Sequence, residues 1–157
     1  MRIEGLTILA TLLTFPNIGW SENNPLLKGI TEVEILVESI TDTEKECGID
    51  DAQIHSELAY TVGRDIKVVK EANCYVYANP NISQTTNKRL CYGSLELELR
   101  CFGRFVNSST NNEAFHTSTL WDSKVSAAAH PDHFKPNYLS IFTKFAKELV
   151  VEWRQNQ

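Results

Sequence analysis

The alternation of apolar and polar residues over positions 90–106 constrains the fold of this chain more than any other feature. One parity is mainly apolar or cysteine, and the other parity is mainly charged or aromatic. A period of two predicts a strand with one face in a core and one face in water. The core face would carry Cys91, Leu95, Leu97, Leu99, Cys101 and Phe105. The outer face would carry Tyr92, Glu96, Glu98, Arg100, Phe102 and Arg104.

Shorter patterns place further elements on both sides of this strand. Period-two patterns and flanking turn residues predict strands over 31–40, 66–70, 73–78 and 115–128. A helical turn is expected over 42–47, and a helix begins after the N-cap Asp50 and ends at Gly63. A strongly amphipathic helix covers 137–153. Polar or proline-bounded connections are expected over 79–88, 107–113 and 130–136.

The resulting order of elements is β-α-β-β-β-β-α. A sheet with one apolar face and amphipathic helices bury each other, so the sequence predicts an α+β fold of two layers. We expect a mainly antiparallel sheet of four to five strands with two helices on one face. No internal repeat or linker divides residues 22–157, so a single domain is expected there.

The first 21 residues have the order of a secretory signal peptide. Arg2 precedes an uncharged, mainly apolar run over 5–15, which Pro16 ends, and small residues follow at Gly19 and Ser21. We predict cleavage after Ser21 and export to the periplasm or the medium. The alternatives are a buried N-terminal element and an uncleaved membrane anchor. The run is too short for an ordinary transmembrane helix, and no span is expected after the leader.

The four cysteines, Cys47, Cys74, Cys91 and Cys101, all follow the predicted leader. An even set in an oxidising compartment predicts disulfides, whereas a cytosolic chain would keep four buried thiols. Ten residues of straight strand span roughly 33 Å, whereas bonded cysteines need Cα atoms within about 7 Å. Cys91–Cys101 is therefore excluded unless the strand breaks, for example at Gly93. Cys74 can pair with either Cys91 or Cys101, and Cys47 with the other.

A core-facing Cys74 has a consequence for the opposite face of the sheet. Tyr75 and Tyr77 would then point outward, together with Tyr92 and Phe102 of the long strand. Aromatic residues rimmed by charge are typical of a recognition surface. A shift of one residue in register would reverse every side chain, and the tyrosines would then lie in the core.

Candidate chemical sites are few. His130, Asp132 and His133 offer three possible metal ligands, but the surrounding prolines favour a polar surface loop. No serine lies in a Gly-x-Ser-x-Gly elbow, and neither a phosphate-binding loop nor a Cys-x-x-Cys pair occurs. We therefore expect no cofactor and assign no catalytic residue. A small metal-dependent hydrolase that uses the two histidines is the alternative.

Charge narrows the range of partners. A net charge of -5 disfavours binding to nucleic acid. Residues 31–51 contain eight acidic side chains and one basic side chain, Lys45. A solvated face is the ordinary explanation, and an inhibitor that docks this segment on a basic target is the alternative. Asn81 and Asn107 begin glycosylation sequons in predicted loops, which matter only in a eukaryotic source.

Several short patterns resemble those of small uncharacterised exported bacterial proteins. They are Cys47-Gly48-Ile49-Asp50, Ile66-Lys67-Val68, Cys74-Tyr75-Val76-Tyr77, Cys91-Tyr92, Leu95-Glu96-Leu97 and Trp121-Asp122. The resemblance covers residues 31–153 and implies a periplasmic or secreted α+β domain, with no known activity. We expect a non-catalytic, disulfide-stabilised module that binds a protein or an envelope component. The sequence predicts no oligomeric state.

Overall fold

The computed structural model describes residues 24–106 and 113–157. The predicted leader and most of the predicted loop over 107–113 lie outside the described residues. The described elements, in chain order, are a 3-10 turn Pro25–Leu27, β1 Glu32–Val37, α1 Asp42–Glu46, α2 Asp51–Val62, β2 Lys67–Val68, β3 Cys74–Gln84, β4 Cys91–Val106, β5 Glu113–Ala129 and α3 Pro131–Gln155.

The five strands form one sheet in the order β2-β1-β3-β4-β5. The long pairings, β3 with β4 and β4 with β5, are antiparallel, whereas β1 runs parallel to both of its neighbours. The predicted two-layer α+β fold is confirmed, with a mixed sheet. The parallel part follows from the helices α1 and α2, which carry the chain back along β1 before β2 begins.

The core lies between one face of the sheet and the long helices α2 and α3. The predicted core face of β4 is confirmed at Cys91, Leu95, Leu97 and Leu99, which are fully buried, whereas Cys101 is partly buried. The side chain of Phe105 lies outside what the structure describes. Burying one leucine side chain stabilises a fold by about 1.5–3 kcal/mol, so this layer of contacts dominates the packing. The fully buried residues of this core include Leu95, Leu97 and Leu99 of β4, Ile54, Leu58 and Val62 of α2, and Phe142, Ala146 and Leu149 of α3.

Helix α2 has the predicted boundaries. The Asp50 carboxylate accepts a hydrogen bond from the backbone N–H of Gln53 at 3.1 Å, and Gly63 is the C-cap. The backbone N–H of Asp50 in turn donates to the Tyr138 hydroxyl of α3 at 3.2 Å, which joins the two helices. Burial raises the pKa of the Tyr138 hydroxyl above its usual value of 10.0.

Strand β3 is longer than its sequence pattern predicts. The turn expected from residue 79 is wrong, because β3 continues to Gln84. Pro80 is tolerated since it lies beyond the last residue of β1, Val37, which pairs with Ala78. A strand edge without a neighbour does not need the missing N–H. Past that point, the backbone N–H of Ile82 finds an acceptor in the Glu44 carboxylate at 3.1 Å.

Glu44 is a buried carboxylate that attaches the short helix α1 to the sheet. One oxygen accepts hydrogen bonds from the backbone N–H and the hydroxyl of Thr41, and the other accepts from Ile82. Thr41 and Glu44 form a reciprocal capping box, which stabilises the first turn of α1. The buried Glu44 carboxylate thus accepts the β3 backbone N–H that a neighbouring strand would otherwise bind.

Helix α3 begins earlier than expected. The connection predicted over 130–136 is wrong, because α3 starts at Pro131 and His130 is its N-cap. Pro131 occupies the first position of the helix, where no N–H is needed and its restricted φ is suitable. Within the described residues, no helix is both long and apolar enough to cross a bilayer.

Two disulfides are present, and they form one of the two pairings that the sequence leaves open. Cys47–Cys91 joins the end of α1 to the start of β4, with a Cα–Cα distance of 5.9 Å. Cys74–Cys101 joins directly opposite positions of β3 and β4. Cys91 and Cys101 are not bonded to each other, as predicted. Each bridge closes a loop of tens of residues and contributes about 3–4 kcal/mol in the chain-entropy description.

Beyond the second disulfide, β4 and β5 continue together as a two-stranded arm. We define the β-arm as residues 103–106 and 113–116, which pair with each other and with no third described strand. Phe115 in this arm is 82% exposed. The arm therefore projects past the end of the body of the sheet.

We predict that a mild reductant opens Cys74–Cys101 before Cys47–Cys91. Cys74 and Cys101 are only partly buried, whereas Cys47 and Cys91 are inaccessible to solvent. Thiol–disulfide exchange needs access for the attacking thiolate, so the exposed bridge reacts first. Alkylation of the released thiols at increasing times, followed by peptide mass spectrometry, measures the order. Simultaneous labelling of all four cysteines would contradict the prediction.

We also predict that Gly93→Ala lowers the free energy of unfolding by about 2–3 kcal/mol. Gly93 has a φ of +155°, and a Cβ atom there would lie 2.0 Å from the backbone oxygen of Asn81. The backbone of β3 would have to move, because no flexible side chain can yield. Gly103→Ala in the same strand is the matched control, since its nearest atom would be 3.8 Å away. Equal urea midpoints for the two variants would show that the short distance between Gly93 and the Asn81 backbone does not affect the free energy of unfolding.

Candidate functional site: the outer face of the sheet

The described helices pack on one face of the sheet and leave the other face open. Inward residues of β3 and β4 join α2 and α3 in a single core cluster. Apart from Glu98, the outward residues of Cys74–Gln84 and of positions 91–103 are exposed or only partly buried. We call this second surface the outer face. The register of β3 against β4 therefore decides which side chains are available to a partner.

Three aromatic side chains meet at one end of the outer face. The ring centroids of Tyr75 and Phe102 lie 5.6 Å apart, and those of Tyr75 and Tyr77 lie 6.4 Å apart. Phe102 is 58% exposed, and both tyrosines are partly buried. We define these three residues as the aromatic cluster. Its position agrees with the register that places Cys74 toward the core.

An ion pair borders the aromatic cluster. The Arg100 guanidinium lies 4.4 Å from the centre of the Tyr77 ring and also contacts the carboxylate of Glu98. Glu98 is 9% exposed, although it points to the outer face. Arg100 therefore offsets the desolvation of this carboxylate and holds one face of Tyr77 through a cation–π contact. The two contacts hold Arg100 in place against the Tyr77 ring.

Tyr92 lies on the outer face but not in the aromatic cluster. Tyr92 pairs with Ser83 and Ala128, at the opposite end of β4 from Phe102. Ten residues of extended strand separate the two positions, a distance of roughly 33 Å. The sequence pattern identifies the face on which a residue lies but not whether two residues on it are close.

Leu36 is a neighbour of the cluster that sequence reasoning missed. It lies opposite Tyr77 in the parallel pairing of β1 with β3 and is 37% exposed. Its outward parity is visible in the alternation of β1. Its nearness to Tyr77 depends on the strand order, which the sequence pattern does not contain. Leu36 extends the apolar surface toward β1.

The histidine segment forms the start of α3. His130 Nδ1 lies 3.4 Å from a carboxylate oxygen of Asp132, and the rings of His130 and His133 are 6.3 Å apart between centroids. His130 Nδ1 also accepts from the backbone N–H of Asp132 at 3.4 Å. In residues 24–106 and 113–157, no group of three or more His, Cys, Asp or Glu side chains has a geometry suited to a metal ion.

The acidic segment 31–51 is distributed over β1, α1 and the start of α2. Glu44 is buried, and Asp50 caps α2. Other members are bound to local cations: Asp42 contacts Lys45, Glu32 contacts Lys67, and Glu46 contacts Lys88. Part of the acidic charge of this segment is thus buried, used as a helix cap or paired with local cations.

The glycosylation sequon at Asn81 lies in β3 rather than in a predicted loop. Asn81 is exposed on the outer face, where Ser94 lies opposite it. The other sequon begins at Asn107, outside the described residues.

Comparisons with known proteins identify no family for this chain. No protein-family model matches the sequence, and no curated protein matches it. Among solved structures, a PelC dodecamer variant from Paraburkholderia phytofirmans is 12% identical, with a TM-score of 0.38, over 81% of this chain and 88% of that chain. A second PelC dodecamer from the same organism has a TM-score of 0.37 and 12% identity, over 80% of this chain and 88% of that chain.

A minor lipoprotein from Acinetobacter baumannii is 8% identical, with a TM-score of 0.38, over 81% of this chain and 92% of that chain. Similarity at this level assigns no activity or partner to the present chain.

We predict that Phe102→Ala lowers the free energy of unfolding by no more than about 1 kcal/mol, because the ring loses mainly its contact with Tyr75. Leu99→Ala, the matched change on the other face of the same strand, should cost about 2–5 kcal/mol since Leu99 is fully buried. Urea unfolding measures both values. A cost at Phe102 as large as that at Leu99 would show that the outer face is covered.

Proposed function

We propose that this chain is an exported, non-catalytic module that binds a protein through the aromatic cluster Tyr75, Tyr77 and Phe102. The observation that carries the proposal is the position of these rings: Tyr75 contacts both Tyr77 and Phe102, on a face that no described helix covers. Large exposed aromatic groups gather at surfaces that other molecules cover.

The chemistry of the cluster suits a protein partner. Tyrosine combines a large apolar ring with a hydroxyl, and tyrosine and arginine are enriched among residues that contribute most to protein–protein affinity. Arg100 lies against Tyr77, and Leu36 adds apolar area beside the same ring. The result is an apolar centre with a charged border, which is the usual arrangement of a protein interface.

The backbone beneath the cluster is held by the second disulfide. Cys74 directly precedes Tyr75, and Cys101 directly precedes Phe102, so the bond joins the two strands where the cluster begins. Side chains fixed before binding lose less conformational entropy when the partner arrives. The same bond supports export, because structural disulfides persist in oxidising compartments. The leader predicted over residues 1–21 supports export independently of the disulfides.

The proposal predicts that Tyr75→Ala combined with Tyr77→Ala abolishes capture of the partner without lowering the thermal midpoint by more than a few degrees. The full chain is purified from its native host, and its intact mass reports whether the leader is absent and both disulfides are formed. Immobilised wild type and variant are then exposed to the envelope and secreted fractions. Proteins retained by the wild type alone are identified by mass spectrometry, and their affinities are measured by calorimetry.

Tyr60→Ala is the matched control, because Tyr60 is an exposed tyrosine on α2, in the helical layer. It should retain the same partner as the wild type. Identical sets of retained proteins for all three chains would overturn the proposal. Retention of a polysaccharide or lipid in place of a protein would overturn the assignment of the partner class.

A further inference from the structure

The last strand of the sheet has a long open edge. β5 has seventeen residues and contains no proline, whereas β2 at the opposite edge has two residues. Among residues 24–106 and 113–157, only β4 pairs with it as a strand. Open edges of this length expose unpaired backbone groups and are templates for another strand.

One irregularity divides the edge into two parts. The register with β4 shifts at Leu99 and Arg100, and Leu120 is the extra residue of β5 at this bulge. The Leu120 backbone oxygen already accepts a hydrogen bond from the Asn24 side chain at 2.7 Å. Residues 121–129 follow the bulge with a regular register. This regular segment is the part of the edge that a further strand can extend.

The regular segment carries two charges of opposite sign, separated by one residue. Asp122 and Lys124 share a parity, both are exposed, and they flank the buried Ser123. Asp122 lies opposite Glu98 of β4, so the side chain that faces it across the strand pair is also acidic. Lys124 lies 3.5 Å from Glu96, in an ion pair that leaves half of the Lys124 side chain exposed. Within the described part of this chain, the Asp122 carboxylate therefore has no basic side chain as a partner.

A second copy of the same strand supplies a basic side chain for Asp122 in one register. When two β5 strands run antiparallel about a two-fold axis at Ser123, Asp122 of each copy faces Lys124 of the other. Both charged pairs then lie on the outer face, and Trp121 of each copy faces Val125 of the other on the inner face. A two-fold axis produces each favourable pair twice, as in all isologous interfaces.

Neighbouring registers lack this complementarity. An axis at Asp122 would place two carboxylates opposite each other, and an axis at Lys124 would place two ammonium groups opposite each other. Like charges directly opposite in a sheet are destabilising, so both registers are disfavoured. An axis at Val125 would leave both charges facing uncharged residues, Ala128 and Ser126. Only the axis at Ser123 gives each charge an opposite partner.

We propose that two copies of this chain associate by antiparallel pairing of their β5 edges about Ser123, which joins the two sheets into one. The proposal concerns the β5 edge and goes beyond the binding function proposed for the aromatic cluster. Backbone hydrogen bonds supply the attraction, and the Asp122–Lys124 pairs select the register. Because a strand edge buries less area than a standard interface, the dimer forms reversibly as concentration rises.

The test uses the full chain with both disulfides formed, studied by sedimentation equilibrium at low salt over a wide range of concentration. We expect a monomer–dimer equilibrium for the wild type. Asp122→Lys should raise the dissociation constant about tenfold, and Lys124→Asp should do the same, since each change turns two attractive pairs into two repulsive pairs.

An equimolar mixture of the two variants gives the sharpest result. In the mixed dimer, the lysines at positions 122 and 124 of one chain face the aspartates at positions 124 and 122 of the other. The mixture should therefore associate about as tightly as the wild type. Lys147→Asp on α3 is the matched control and should leave the dissociation constant unchanged, because Lys147 is exposed in the helical layer. Thermal unfolding confirms that each variant is folded.

Hydrogen exchange at the edge-facing amides of residues 121–125, the part of the regular segment that pairs with itself about Ser123, should slow as the wild-type concentration rises. A wild type that stays monomeric at every concentration would overturn the proposal. A dimer that neither single reversal weakens, or that the mixture does not restore, would place the contact on another surface or in another register. Either result leaves the test of the aromatic cluster unaffected.

Discussion

The register of β3 against β4 is the constraint on which the rest of this structure depends. It places Val76 against Leu99 in the core and Tyr75 against Arg100 on the outer face. A shift of one residue would bury the charges and expose the leucines, at a cost of several buried side chains. Cys74–Cys101 binds the two strands at opposite positions and so makes that shift covalently impossible.

The sequence predicts well those features that depend on neighbours along the chain. The faces of β4 follow from its alternation, the limits of α2 follow from Asp50 and Gly63, and the exclusion of Cys91–Cys101 follows from strand length. The two predictions that depended on proline are wrong, because the effect of a proline depends on which neighbours surround it in the folded chain. Pro80 continues β3 because β1 has already ended beside it, and Pro131 begins a helix that the pattern placed later.

The candidate site also combines features that the local sequence predicts with features that depend on the folded chain. Parity alone places Tyr75, Tyr77, Tyr92 and Phe102 on one face, and the structure agrees for each of them. Distance on that face depends on which strands are adjacent and in what register, and neither is encoded locally. For this reason the pattern does not separate Tyr92 from the cluster at the far end of the strand, and it does not reveal that Leu36 lies beside Tyr77. The ion pair of Glu98 and Arg100 also depends on folded geometry, since their side chains meet only when residues 98 and 100 share one face of an extended strand.

The β-arm begins where the second disulfide ends the three-stranded part of the sheet at Cys101. The disulfide fixes β4 to β3 at that point, so a displacement of β4 within the arm is not passed on to its pairing with β3. A single pair of sulfur atoms thus marks the boundary between the three-stranded part of the sheet and its two-stranded extension.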